Sequence, residues 1–220
     1  MNKVIIFDLD DTLYKEIDFV KSGFDFIAKK ISLKVHKSRV LIKNKLFKYY
    51  VSGSNAFESI IDEYNLNISL NSLIEWYRFH PPSIKLSKDS YETLNFLYKN
   101  NYKIGIITDG RTKQQMNKIK ALGIDKYVKN IVISESFGSS KPSKKNFEYF
   151  SKSKYTDYKK FFYVADNLEK DFIAPNNLGW VTICLLDNKT NIHSQNFKIK
   201  SDYLPRYCVK NLVDLIHIVS

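Results

Sequence analysis

Short apolar runs that alternate with helical segments constrain the fold of this 220-residue chain most strongly. The first run, residues 4–7, lacks polar alternation and is typical of a strand that is covered on both faces. Four later runs lie at 103–107, 130–133, 161–165 and 180–186. A helical pattern precedes each of the first three of these later runs, at 88–98, 113–122 and 144–150. This order predicts an α/β fold with a doubly wound parallel sheet and right-handed crossovers.

A helical periodicity occupies residues 14–85, between the first strand and the rest of the sheet. One apolar stripe illustrates it: Ile17, Val20, Phe24, Ile27 and Ile31. Similar stripes recur at 57–64 and 70–77, and they predict an all-helical insert of about four helices. The predicted organisation is therefore a core made of residues 1–13 and 86–220, interrupted by a helical domain at 14–85.

Composition limits the class of protein. Hydrophobic residues make up 44% of the chain, enough for a substantial core. There is no apolar stretch of bilayer length and the first residues do not resemble a signal peptide, so a cytoplasmic protein without membrane partners is predicted. Cys184 and Cys208 lack metal or redox spacing and are predicted to be reduced packing residues.

The formal net charge is +12, and residues 28–50 carry eight lysines and arginines without an acidic residue. Such a run is most often a solvated helix face. It would also raise the local concentration of a phosphorylated substrate. No specific nucleic-acid partner is expected, and the expected oligomeric state is a monomer or a weak homodimer.

Polar residues follow the apolar runs at the points where the predicted strands end. Because ligand sites of parallel sheets lie at the carboxyl ends of the strands, these residues are expected to form one site. They are Asp8 and Asp10, then Thr108, Asp109 and Gly110, then Lys141 before Pro142, and finally Asp166 with Asp171.

These segments, in this order, resemble the four motifs of the haloacid dehalogenase (HAD) superfamily. The first motif corresponds to residues 7–13, the second to 107–110, the third to 140–142 and the fourth to 164–171. The position of the helical insert is similar to that of the C1-type cap in subfamily I. The resemblance implies a Rossmann-like core and a cap that closes over the site.

The resemblance also implies roles for the two acids of the first motif. Asp8 would be the nucleophile that forms an aspartyl-phosphate. Asp10 would protonate the leaving oxygen and later deprotonate water. Since two close carboxylates cannot both ionise at low cost, their pKa values should separate, so that one of the two can hold a proton. Thr12 is expected to brace the turn after the first strand.

The remaining motif residues would bind phosphate. Thr108 and the backbone N–H groups of Asp109 and Gly110 would hold its non-bridging oxygens. Lys141 would neutralise charge on Asp8 and on the transferred group.

A magnesium site is implied as well. It would consist of the carboxylates of Asp8 and Asp166 and the backbone carbonyl of Asp10, the oxygen ligands that Mg²⁺ prefers. Asp171 would support the site by ordering Lys141 or a metal-bound water.

The predicted activity is Mg²⁺-dependent hydrolysis of a small phosphorylated metabolite such as a sugar phosphate or a nucleotide. Dehalogenases of the superfamily lack an acid at the place of Asp10, which disfavours that chemistry. A phosphomutase and a catalytically silent binding protein remain as alternatives. Each polar insert residue is expected first to be solvated or a packing group, and His80 a hinge residue. The insert residues able to contact a substrate are Lys45, Lys48, Ser54, Asn55, Arg78 and His80.

Overall fold

In the computed structural model, which describes residues 3–220, one sheet contains six strands that are all parallel. They are β1 (Lys3–Phe7), β2 (Lys103–Thr108), β3 (Asn130–Ile133), β4 (Lys160–Ala165), β5 (Val181–Leu185) and β6 (Tyr207–Val209). The order across the sheet is β3-β2-β1-β4-β5-β6. The predicted fold class is therefore confirmed, and the predicted strands lie within one or two residues of the observed ones. Strand β6 was not predicted, because it has three residues and two of them are exposed.

The strand order creates a crevice beside β1. From β1 the chain winds outward through β2 to β3, and it then returns to place β4 on the opposite side of β1. All five residues of β1 are buried, as expected for a central strand. Ligands of doubly wound sheets bind where the direction of winding reverses, at the carboxyl ends of the strands. In this sheet the reversal lies between β1 and β4.

The chain divides into two compact units, one of which is the helical unit Ile17–Ile84. The other, the sheet unit, comprises the residues up to Glu16 together with Lys85–Ser220. Four helices account for most of the helical unit: α1 (Glu16–Val35, which begins one residue before the unit), α2 (Arg39–Val51), α3 (Ala56–Glu63) and α4 (Leu70–Phe79). The stripe expected on α1 is buried at Val20, Phe24, Ile27 and Ile31.

Several insert residues that are able to contact a substrate have partners inside the helical unit. Lys45 forms an ion pair with Glu63. The side chain of Asn55 caps the N-terminus of α3. His80 is buried, and its ring nitrogens contact the Tyr77 carbonyl at 2.6 Å and the Ser22 hydroxyl at 3.0 Å. Each of these three residues completes the packing or hydrogen bonding of its own unit.

The helices of the sheet unit connect its strands. They are α5 (Lys88–Lys99), α6 (Thr112–Leu122), α7 (Ser134–Phe137), α8 (Lys144–Tyr149), α9 (Ile173–Asn177) and α10 (Leu215–Val219). Helices α5, α6 and α8 match predicted segments, whereas the short helices α7 and α9 were not predicted. Helix α6 connects β2 to β3, and its buried face contributes to the site described below.

The two cysteines are free thiols on neighbouring strands. Cys184 is buried in β5, as predicted, but Cys208 is exposed on β6, so the prediction that it packs in the core is wrong. Among the residues that the structure describes, no helix combines the length and the apolar character needed to cross a membrane.

Candidate active site

Asp8 and Asp10 lie directly beyond the carboxyl end of β1. The Asp8 N–H donates to the Val164 carbonyl at 2.9 Å, which extends the pairing of β1 with β4 by one residue. The chain then turns sharply: the Leu13 N–H donates to the Leu9 carbonyl at 3.0 Å, and Asp11 has a φ of 54°. Asp8 is therefore fixed by the sheet, whereas Asp10 sits in the turn.

Lys141 joins Asp8 to Asp171. Its ammonium lies 2.8 Å from the Asp8 Oδ1 and 2.7 Å from the Asp171 Oδ1, and its side chain is fully buried. It also donates to the Tyr163 hydroxyl at 3.3 Å. The second oxygen of Asp171 accepts the Asn167 N–H at 3.0 Å. Lys141 is thus held between two carboxylates, one of which belongs to the first motif.

The burial of these charges shifts their pKa values. Burial by itself would lower the pKa of Lys141, but Asp171 and Asp8 hold that pKa well above its ordinary value. Burial raises the pKa of Asp8 to about 6, with Lys141 acting in the opposite direction. At neutral pH Lys141 is charged, and it favours the ionised form of Asp8.

Asp166 follows β4 and faces the first motif. Its carboxylate accepts hydrogen bonds from the Thr12 hydroxyl at 3.2 Å and from the Asn191 side-chain amide at 3.0 Å. Burial, and then the charges of Asp8 and Asp171, raise the pKa of Asp166 to about 8. Thr12 therefore lies in the turn after β1 and also contacts an acid of the fourth motif.

Three carboxylates form a buried acidic group: Asp8, Asp166 and Asp171 each offer an oxygen within 4.8 Å of the others. Hard divalent cations prefer such oxygen ligands, and a cation would compensate the burial and the mutual repulsion that raise the pKa values of Asp8 and Asp166. Asp171 is already engaged by Lys141 and the Asn167 N–H. Asp8 and Asp166 are consequently the carboxylates that best fit a metal ion.

Asp10 has a different environment. One carboxylate oxygen accepts the Tyr14 hydroxyl and lies 2.7 Å from the Lys118 ammonium, and the other accepts the Gln115 amide at 2.8 Å. Burial would raise the pKa of Asp10, but Lys118, Tyr14 and Gln115 lower it below its usual value. The pKa values of the two acids are therefore separated, and Asp8, rather than Asp10, has the raised one. The low pKa of Asp10 arises chiefly from Lys118, which the sequence alone does not place beside Asp10.

The second motif is also more engaged than expected. Thr108 accepts the Gln115 amide at 2.6 Å. The Gly110 N–H, which was expected to bind phosphate, donates to the Ser134 hydroxyl at 2.9 Å. The Asp109 carboxylate accepts the Lys141 N–H and the Lys170 ammonium, both at 3.1 Å. Asp109 thus links the second, third and fourth motifs through its side chain, a role that was not predicted.

A polar cavity of about 170 Å³ lies among these residues. Its lining comprises Asp8, Asp10, Asp11, Glu16, Thr108, Asp109, Asp166, Asn167, Lys170 and His193. All of these residues belong to the sheet unit. The cavity brings together predicted residues from the first, second and fourth motifs.

Several site residues were missed from the sequence. Gln115 and Lys118 lie at positions of α6 whose spacing matches that of the buried Ile119 and Leu122. A polar residue within an apolar helical stripe is the signal that could have found them. Asn191 lies in a loop without a pattern, and its contact with Asp166 could not have been found this way.

The family model described as haloacid dehalogenase-like hydrolase matches residues 5–185. Since this range covers most of the chain, the protein belongs to that family, and the predicted family is confirmed. In the structure Asp8, Thr108 and Asp166 lie at the carboxyl ends of β1, β2 and β4.

Relatives of this chain include phosphatases. The glyceraldehyde 3-phosphate phosphatase of Methanocaldococcus jannaschii is 27% identical over 234 residues, which cover 100% of this chain and 98% of that protein. A pyrimidine 5′-nucleotidase of Escherichia coli is 35% identical over 88 residues, 40% of this chain and 39% of the relative. These relatives are phosphoric monoester hydrolases, the enzyme class predicted for this chain.

Solved structures share the fold. The putative HAD-hydrolase YfnB of Bacillus subtilis, bound to magnesium, has a TM-score of 0.69 at 18% identity, and the match covers 99% of this chain and 98% of that chain. A putative beta-phosphoglucomutase of Thermotoga maritima has a TM-score of 0.68 at 14% identity, and the match covers 100% of both chains.

Proposed function

We propose that this protein is a Mg²⁺-dependent phosphatase that hydrolyses a small phosphorylated metabolite through an aspartyl-phosphate on Asp8. The observation that carries the proposal is the buried arrangement in which Asp8 contacts Lys141 at 2.8 Å beside the carboxylate of Asp166. A carboxylate with these neighbours can approach an anionic phosphate, because the positive charge of Lys141 compensates the negative charges of the carboxylate and the phosphate.

In the first half of the reaction, a carboxylate oxygen of Asp8 attacks phosphorus in line with the leaving oxygen. The bond from phosphorus to the leaving oxygen breaks, and that oxygen takes a proton from Asp10. Asp10 is ionised in the structure, so it must first acquire this proton. The negative charge of a bound phosphate favours that protonation, since a nearby like charge raises the pKa of a carboxyl group.

In the second half, Asp10 takes a proton from water, whose oxygen attacks the phosphorus of the aspartyl-phosphate. The bond from phosphorus to Asp8 breaks, which releases inorganic phosphate and regenerates the Asp8 carboxylate. Lys118, Tyr14 and Gln115 lower the pKa of Asp10, which favours the ionised form that this step requires.

Asp8 and Asp166, with the backbone carbonyl of Asp10, would hold the magnesium ion. When bound, the ion supplies positive charge to the phosphate oxygens and lowers the cost of bringing an anionic substrate to a carboxylate nucleophile. Thr12 and Asn191 orient Asp166 through hydrogen bonds at 3.2 and 3.0 Å, so the ligand is held before a cation arrives.

The names of the relatives support a small substrate, such as a triose phosphate or a nucleoside monophosphate. The helical unit is proposed to act as the cap that selects this substrate. Its stretch of lysines and arginines at 28–50 would attract phosphorylated compounds electrostatically.

A panel of phosphate esters tests the proposal. The protein would be incubated with Mg²⁺ and, separately, a triose phosphate, a pyrimidine nucleoside monophosphate, a hexose 1-phosphate and 4-nitrophenyl phosphate. Release of inorganic phosphate is expected. Isomerisation of the hexose phosphate without release would indicate a phosphomutase, and no turnover of any ester would indicate a silent binding protein.

A further inference from the structure

Helix α6 buries two polar side chains on the face where a helix usually buries apolar ones. The buried residues of α6 are Gln115, Lys118, Ile119 and Leu122. Only 2% of the Lys118 side chain is exposed. Taking an ammonium out of water is costly, and replacing a buried ion pair by apolar residues is often neutral or stabilising. Packing alone therefore does not explain why a lysine is buried at position 118.

Both polar side chains reach the same carboxylate. The Lys118 ammonium lies 2.7 Å from the Asp10 Oδ1, and the Gln115 amide donates to the Asp10 Oδ2 at 2.8 Å. The two oxygens of Asp10 are thus held by neighbouring turns of one rigid helix, three residues apart. Two contacts on different oxygens restrict rotation of the carboxylate in a way that one contact would not.

Gln115 is itself confined. Its amide nitrogen also donates to the Thr108 hydroxyl at 2.6 Å, which joins the second motif to Asp10. Gly110 packs against the same side chain: a Cβ on Gly110 would lie 3.2 Å from the Gln115 Cδ and Cγ. Gly110 also has a φ of +140°, which side chains rarely adopt. The glycine therefore leaves room for Gln115 beneath the second motif.

We propose that Lys118 and Gln115 are positioning residues that orient the Asp10 carboxylate for proton transfer. The inference rests on the proposed function, because it assigns Asp10 the proton-transfer steps. It adds a structural element that the four motifs do not include, the buried face of α6. Proton transfer requires the carboxylate within hydrogen-bond reach of the proton, so a rotated Asp10 would be ineffective even at the correct distance from Asp8.

A double-mutant cycle tests this assignment with Mg²⁺ and the alkyl phosphate of the panel that is hydrolysed fastest, because its alkoxide leaving group needs a proton. The variants are Lys118→Met, Asp10→Asn and the combination of the two, with kcat/KM as the readout. If Lys118 acts through Asp10, Lys118→Met alone should lower kcat/KM by about 10- to 100-fold, a part of what general acid–base catalysis contributes. Added to Asp10→Asn, the same change should lower it by no more than about twofold, because residues that act as a unit are non-additive.

The matched control is Lys120→Met, which removes an exposed lysine from the same helix and should leave kcat/KM unchanged. If Lys118→Met does not fold, Gln115→Leu provides the same cycle with Lys118 in place. If Lys118→Met lowers kcat/KM by the same factor in the wild-type protein and in Asp10→Asn, the inference is overturned. A purely structural role of Lys118 would reduce activity by that factor whether or not Asp10 is present.

The failure of the inference is distinguishable from the failure of the proposed function. Asp8→Asn is measured in the same series. If Asp8→Asn retains turnover, the proposed function fails. If Asp8→Asn is inactive and Lys118→Met has the same effect on both backgrounds, only the positioning role fails.

Discussion

The two acids of the first motif, two residues apart, lie in opposite electrostatic environments. Asp8 shares Lys141 with a second carboxylate, Asp171, and its pKa is raised to about 6. Asp10 has Lys118 at 2.7 Å, with further donors from Tyr14 and Gln115, and its pKa is lowered. Lys141 and Asp171 reach Asp8 from the segments between α7 and α8 and between β4 and α9, whereas two of the donors to Asp10 come from the buried face of a helix.

The difference shows how one short turn can separate two functions. The Asp8 environment concentrates negative charge that a metal ion and Lys141 can compensate, which suits a nucleophile and metal ligand. The Asp10 environment supplies donors to both carboxylate oxygens, which suits a group that must keep one orientation while it exchanges a proton.

Asp8→Asn should have the largest effect. The amide is nearly isosteric but cannot act as the nucleophile, so turnover of 4-nitrophenyl phosphate should fall by about 10⁴-fold or more. Steady-state kinetics with Mg²⁺ measures the loss, and circular dichroism checks that the fold is intact. Activity near that of the parent protein would remove the distinction between the two acids.

Lys141→Met should have the next largest effect. It leaves Asp8 and Asp171 buried without their shared cation, and breaking a buried ion pair costs about 3–5 kcal/mol of stability. Turnover should also fall by about 10²- to 10³-fold, because a donor of positive charge to the phosphoryl group is lost.

Chemical denaturation and steady-state kinetics measure the two effects of Lys141→Met. Lys144→Met, which removes an exposed lysine three residues away, is the control and should change neither quantity. Equal stability of the two variants would show that the Lys141 network does not hold the Asp8 site together.

Over a change of one pH unit, the smallest predicted effect is the dependence of stability on pH in the metal-free protein. The pKa of Asp166 is about 8 in the folded state, against an ordinary value of 3.8. The folded protein therefore keeps a proton that the unfolded chain loses, so this group's contribution is fully present below about pH 4 and is lost as the pH rises toward 8. The slope is up to about 1.4 kcal/mol per pH unit.

Denaturation in the presence of a chelator, at several pH values from 5 to 8.5, measures this slope. Mg²⁺ should stabilise the protein more at pH 8 than at pH 6, because the ion competes with the proton on Asp166. Asp166→Asn should reduce both dependences. A stability that is independent of pH in the parent protein and in the variant alike would contradict the charge distribution described for the Asp8 side.

The comparison also explains which parts could be predicted from the sequence. An acid directly after an apolar run marks the end of a buried strand, and Asp8 and Asp166 were placed in this way, whereas Lys141 lies in the segment after α7 and was identified through the third motif. Lys118 could not be placed by such a pattern, because a lysine in a helix is usually solvated and its register against Asp10 depends on the packing of α6 on the sheet. For the same reason, the sequence did not indicate which of the two acids has the raised pKa.

Hydrogen-bond partners of the site residues that lie in loops or turns could not be predicted from the sequence either. Asn191 donates to Asp166 from a segment without periodicity. Ser134, directly after β3, accepts a hydrogen bond from the Gly110 N–H. The apolar stripe of α1 was predicted well because periodicity directly reports which face is buried.

The central claim is that Asp8 carries the phosphoryl group during turnover. The most direct test is to quench the reaction with acid while substrate is in excess, digest the protein and locate the phosphoryl group by mass spectrometry. A phosphorylated peptide that contains Asp8, absent from Asp8→Asn and from the reaction without substrate, is the expected result. Turnover without phosphorylation of Asp8, or with the phosphoryl group on another residue, would contradict the claim.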